Sequence, residues 1–123
     1  MQLTAADLRT RIADPRNAAP DCACTRLAKA GWESTGAPAG APLLRHLGTL
    51  RAPGEDEPTL DEHHPAGTRY WSPDAPIATA HFPTNRCEVW QCVSCDRGFL
   101  QYTEYGGYYI DHRIRLIDPA LVV

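Results

Sequence analysis

The chain has 123 residues, one domain's worth, and cores of that size are often stapled by a metal. With 43% apolar and 22% charged residues it has the composition of a soluble globular protein, and no apolar run approaches the length of a membrane span. The net charge of −3, from 12 basic and 15 acidic side chains, speaks against a general nucleic-acid binder.

The opening Met1-Gln2-Leu3-Thr4-Ala5-Ala6-Asp7 has neither a basic start nor a following apolar stretch. It does not read as a secretory signal, and the expected location is cytoplasmic. Charge is unevenly spread. Residues 1–51 carry seven basic and four acidic groups, whereas residues 52–85 carry Arg69 alone against Glu55, Asp56, Glu57, Asp61, Glu62 and Asp74. An acidic middle of this kind fits a solvated loop or a surface for a basic partner.

The first predicted element is a helix from Thr4. Thr4 can cap it, Asp7 suits the positive end of its dipole, and Leu3 can staple against Leu8. Leu8 and Ile12 then share a face, and Asp14-Pro15 ends the helix. Residues 15–24 read as an irregular lead into Cys22-Ala23-Cys24. A short helix is expected over Thr25–Ala30, stopped by Gly31. Gly36 to Pro42 is a low-complexity crossing. Leu43, Leu44, Leu47 and Leu50 fit a short helix or a strand, and the pattern does not separate the two. Residues 53–67, rich in Pro, Gly and acid, read as a loop.

From Tyr70 the character is β. Ile77–Phe82, between Pro76 and Pro83, and Glu88–Cys92 are expected strands. Phe99–Tyr105 and Tyr108–Ile117 flank Gly106-Gly107, a two-residue turn suited to positive φ at both positions. That turn pairs Tyr105 with Tyr108, Thr103 with Ile110, Gln101 with His112 and Phe99 with Ile114, on a face expected to meet the core. Glu104, Tyr102, Leu100, Tyr109, Asp111 and Arg113 take the opposite face, expected to meet solvent or a partner. The fold class is therefore α+β: an N-terminal helix and a small antiparallel sheet with a C-terminal hairpin, in a single domain over 1–123.

Five cysteines are an odd number, without an export signal, and fit metal ligation better than a disulfide framework. Cys92-Val93-Ser94-Cys95 falls where a tight turn belongs, between two predicted strands, and its side chains can converge on one ion. Cys22-Ala23-Cys24 supplies a second close pair. The preferred site is one structural zinc held by Cys22, Cys24, Cys92 and Cys95, tying the N-terminal third to the hairpin. Arg26 and Arg97 follow the two pairs closely and are candidates to offset a thiolate charge near −2. Two alternatives stay open: a local site of His81, Cys87, Cys92 and Cys95, and no metal at all, with the cysteines packed as small hydrophobes. A redox Cys-x-x-Cys is disfavoured because a turn and a strand follow it rather than a helix.

Cys22-Ala23-Cys24 together with Glu88 to Leu116 resembles the zinc-ribbon group: a strand, a thiol-bearing knuckle and a hairpin held by a second cysteine pair. The resemblance implies a structural metal and a binding role. It departs in the single residue between Cys22 and Cys24, where ribbons usually have two, and in Asp96, where a knuckle often has Gly.

Other residues carry weaker signals. His63-His64 beside Asp61 and Glu62 suggests a weak metal site or a general base, but no nucleophile stands at a matching spacing. Four cysteines would also close the metal to substrate. Tyr102, Tyr109, Arg113 and Arg115 form a candidate interaction face, suited to stacking bases or anchoring a protein. Trp32, Trp71 and Trp90 read as core residues, with Trp90 shielding the metal site. The expected function is that of a non-catalytic zinc protein acting through a protein partner, as small acidic immunity-type proteins do. The alternative is a nucleic-acid-binding zinc ribbon that uses the Tyr/Arg face.

Overall fold

The computed structural model describes residues 1–17 and 20–123. One α-helix, α1 (Ala5–Arg11), precedes five strands among these residues: β1 (Glu33–Thr35), β2 (Leu44–Thr49), β3 (Glu88–Cys92), β4 (Gly98–Tyr105) and β5 (Ile110–Leu116). They form one antiparallel sheet in the order β1-β5-β4-β3-β2. The fold is α+β, as composition and pattern predict.

The helix starts as its sequence dictates. Asp7 N donates to Thr4 Oγ1 at 3.3 Å and Thr4 N donates to Asp7 Oδ2 at 2.8 Å, a reciprocal cap that satisfies two otherwise unpaired N–H groups. It ends at Arg11, ahead of Asp14. Ile12 turns extended and lies over Gly98, where an added Cβ would come within 2.6 Å of Ile12 Cδ1. Ala13 N then donates to Asp96 O at 3.0 Å, so the turn after α1 is fixed to the Cys92–Cys95 segment rather than to Pro15. The irregular lead over 15–24 contains a 3-10 turn at Pro15–Asn17, and its Ala18 and Ala19 lie outside the described residues.

The ambiguous leucine patch is strand β2, with a bulge between His46 and Gly48. Gly48 lets Met1–Leu3 cross closely, where Leu3 N donates to Thr49 O at 2.8 Å and Thr49 N to Met1 O at 2.9 Å. The helix expected over Thr25–Ala30 is a 3-10 turn at Ala23–Leu27. The strand expected over Ile77–Phe82 does not form. Ile77 makes one parallel bridge to Val122, and the following residues turn, with His81 N bonded to Ala78 O.

The hairpin turn sits one residue later than predicted. Tyr105 pairs with Ile110, Thr103 with His112, Gln101 with Ile114 and Phe99 with Leu116. Gly106 N donates to Tyr109 O at 2.9 Å, and neither Gly106 nor Gly107 takes positive φ. The Tyr109 ring lies against Gly106 where a Cβ would overlap it. Because each partner moves by two, every side chain keeps its predicted face.

Both faces of the sheet are nevertheless covered. One packs Val89, Leu100 and Tyr102 with Leu3, Leu8, Ile12, Trp32, Ile77 and Ile117. The other packs Cys92, Phe99 and Ile114 with Cys24 and Leu44. The face expected to meet solvent is thus the face of the larger core. Tyr102 is 8% and Arg115 2% exposed, which corrects the predicted Tyr/Arg interaction face. Trp32 is buried and Trp90 half-buried against the cysteine cluster, whereas Trp71 is exposed.

Gly98→Ala is expected to destabilise the protein by about 1–3 kcal/mol through the clash with Ile12. The added substitution Ile12→Ala, which opens room, recovers part of that loss in a double-mutant cycle read by chemical denaturation. Strict additivity of the two changes would contradict the contact.

Candidate metal centre

Four sulfurs meet where the N-terminal arm reaches the sheet. The Sγ atoms of Cys22, Cys24, Cys92 and Cys95 all lie within 4.8 Å of one another. Two contacts join the arm to the sheet: Cys22 to Cys92 at 3.5 Å and Cys24 to Cys95 at 3.4 Å. All the cysteines are free thiols. Four sulfurs at zinc–thiolate bond length make a tetrahedron with edges of about 3.8 Å. These two contacts are a few tenths of an ångström from that, and all four sulfurs lie within 4.8 Å of one another, so the cluster can hold a metal ion with modest movement.

Local structure presents each thiol. Cys22 caps the 3-10 turn, whose first bond runs from Thr25 N to Cys22 O at 3.0 Å, and Thr25 Oγ1 donates to Pro20 O at 3.0 Å. The arm is pinned to β5 by Leu116 N donating to Lys29 O at 3.3 Å. On the other side Cys92 ends β3, and its N–H donates to Arg97 O at 2.8 Å across the knuckle. Asp96 takes the left-handed conformation with φ 64° that a knuckle requires at this position. Asp and Asn tolerate it better than other non-glycine residues, so the missing Gly is no obstacle.

Gln91 braces the knuckle from the core side. Its Nε2 donates to Arg11 O at 2.8 Å and to Asp96 O at 3.1 Å, while Arg45 Nη2 donates to its Oε1 at 2.7 Å. Sequence reading passed over Gln91. The signal available was a polar residue on the same strand face as Val89, a position that must be buried and hydrogen-bonded if that face is core.

The surroundings shift the thiols in opposite directions, and burial raises Cys95. Burial raises Cys24 to about 12 despite the bond from Arg97. Burial also acts to raise Cys92, but the N–H groups of Ser94 and Cys95 and the neighbouring thiols outweigh it and bring that group down to about 7. Ser94 N donates to Cys92 Sγ at 3.4 Å, so the knuckle already supplies hydrogen bonds to a thiolate. Arg97 is 6% exposed and its Nη1 donates to Cys24 Sγ at 3.5 Å and to Thr25 Oγ1 at 3.1 Å. Its buried Nε has no partner, and no carboxylate pairs with it among the described residues. A guanidinium beside the sulfurs is placed to offset the charge that metal-bound thiolates would carry.

The remaining predicted residues are elsewhere. Arg26 is exposed and makes no hydrogen bond to any of the four sulfurs. The alternative set is not assembled, because Cys87 is fully buried in the other core with its Sγ donating to Pro83 O at 3.2 Å. His81 instead stacks on His63, with ring centroids 4.7 Å apart. His64 is held by Glu62 at 2.8 Å and Thr68 at 2.7 Å. Among the described residues only the four-cysteine group gathers metal-ligating atoms. Arg113 donates to Asp111 at 2.9 Å and to the hydroxyls of Tyr70 and Tyr102, which also bond to each other, so it serves the core of that face. Tyr109 is exposed.

No family model, curated protein or solved structure matches the chain, and the zinc-ribbon resemblance rests on its residues alone.

Removing the charge at Arg97, as in Arg97→Gln, is expected to weaken metal binding by about 10–100-fold in competition with a chromophoric chelator. Unchanged affinity would mean that the guanidinium does not support the cluster. In the chelated protein oxidised with diamide, peptide mapping is expected to find Cys22–Cys92 and Cys24–Cys95 disulfides. Bridges within each local pair would contradict the cross-arm arrangement.

Proposed function

We propose that the chain is a non-catalytic binding domain that a structural zinc ion holds together and that acts through contact with a protein partner. The observation that carries the metal reading is the half-buried cluster of four sulfurs with the Arg97 guanidinium beside it. Four thiolates in a tetrahedron suit zinc or iron, and zinc needs no redox partner. Four protein ligands leave no open position for substrate or activated water, which favours a structural role over catalysis.

The contact element is the hairpin tip. Tyr105 is 76%, Tyr108 104%, Tyr109 55% and Ile110 64% exposed, an aromatic and aliphatic run that leaves its apolar area in water. Tyrosine presented on a short turn offers large contact area at low conformational cost. The nucleic-acid alternative loses its main support, because Tyr102 and Arg115 of its proposed face are buried. Among the described residues no helix is long and apolar enough to cross a membrane.

The purified protein is expected to carry about one zinc per chain by native mass spectrometry and elemental analysis. Cys92→Ser is expected to abolish both metal and cooperative folding. Acid must release the ion, because ligating thiols are deprotonated, and stability falls with pH through that release. A chelated protein that keeps its full unfolding midpoint would sink the structural role. For the partner, native complexes from lysate are expected to be lost with Tyr108→Ala and Tyr109→Ala while the metal stays bound.

A further inference from the structure

The hairpin tip adjoins an unpaired stretch of sheet. β4 runs on to Tyr105, but β3 begins at Glu88, which lies opposite Gln101. Cys92 N donates to Arg97 O at 2.8 Å, so alternation aims the main-chain groups of Phe99, Gln101, Thr103 and Tyr105 toward the β3 side. Ile117 N donates to Gly98 O at 2.8 Å, which sends those of the even-numbered residues to β5. Thr103 and Tyr105 therefore continue past the end of β3 with their N–H and C=O groups directed outward. Among the described residues no main-chain bond reaches them there.

A cavity of about 400 Å³ opens along this edge, within the usual range for a binding site. Thr103, Tyr105, Trp90 and Pro38 line it, and so do Arg51 and Arg86. Both arginines are held by neutral oxygens: Arg51 donates to Asp56 O, and Arg86 to Pro58 O at 3.0 Å and Thr59 O at 3.1 Å. Neither pairs with a carboxylate among the described residues. Glu88, the acid in the lining, is engaged by His46 Nε2 at 2.9 Å. Asp56 and Glu57 stand beside the same arginines in an adjoining cavity. Two free cations next to an acidic loop suit a single carboxylate and repel a polyanion such as RNA.

An outward-facing strand edge, a cavity beside it and unpaired arginines together specify an extended chain. We propose that the Thr103–Tyr105 edge of β4 takes an extended segment of a partner protein as an added strand, with an acidic side chain directed to Arg51 and Arg86 and an apolar one against Trp90 and Tyr105. Main-chain bonds to Thr103 and Tyr105 supply affinity, and alternate side chains supply selectivity. This rests on the reading that the domain acts through a protein partner, and it names the partner's chemistry.

The test pans phage-displayed random peptides against the full-length, metal-loaded protein. Enriched peptides are expected to carry Asp or Glu within an alternating apolar pattern. Thr103→Pro removes the outward N–H and leaves the β5 bonds intact. It is expected to weaken a synthesised peptide by about tenfold, the effect of one main-chain hydrogen bond, while Thr103→Val binds normally. Arg51→Gln with Arg86→Gln is expected to weaken that peptide but not its Asp-to-Asn counterpart. If Thr103→Pro does not fold, amide NMR of the unaltered protein decides: peptide-induced shifts at Thr103 and Tyr105 support the edge, and shifts confined elsewhere overturn it. No enrichment, indifference to Thr103→Pro in the folded variant, displacement of the peptide by single-stranded RNA, or a self-associated dimer that excludes it would each overturn the proposal. A native complex that still depends on Tyr108 while no peptide binds would overturn the edge proposal and leave the protein-binding reading standing.

Discussion

The structure depends on the joint between an N-terminal arm and a β-sheet, and four sulfurs make that joint. Close sulfur contacts cross from arm to sheet, Cys22 to Cys92 and Cys24 to Cys95. A metal there links segments 70 and 71 residues apart in sequence. Structural zinc contributes about 10–16 kcal/mol of apparent binding free energy in small peptides. Whole domains are stable by only about 5–15 kcal/mol. One such ion would therefore act on the same scale as the entire fold.

The same joint explains the polar groups held inside the protein. Arg97 and Gln91 lie on opposite sides of the knuckle, and neither would be buried without a partner. Gln91 satisfies main-chain oxygens at the end of α1 and at Asp96. Arg97 reaches the sulfur of Cys24 and the hydroxyl of Thr25. The helix, the knuckle and the arm thus converge on a few residues, while the hairpin runs outward from them to an exposed tip.

Local chemistry made much of this legible in the sequence. Thr4 and Asp7 carry their own capping geometry, and α1 begins where they place it. Cys92-Val93-Ser94-Cys95 between two strands identifies a knuckle, because few other elements bring two thiols together so tightly. The second pair, Cys22 and Cys24, followed from thiol chemistry and arithmetic. What the sequence concealed was long-range. Periodicity on β4 and β5 assigned each residue to the correct face, but not which face another segment would cover. Residues around Ile77 and Phe82, read as a strand, lie over the sheet as turns and bury Tyr102 and Arg115 beneath them. The hairpin register is one residue later than a generic glycine turn sets it, and the Tyr109 ring lies against Gly106 there.

The central claim is the identity of the atoms around the metal. Zinc-edge X-ray absorption on the purified full-length protein reads it directly. Four sulfur neighbours at about 2.3 Å, with no nitrogen or oxygen in the coordination sphere, are expected. A nitrogen or oxygen ligand, or a folded protein that contains no metal, would contradict it.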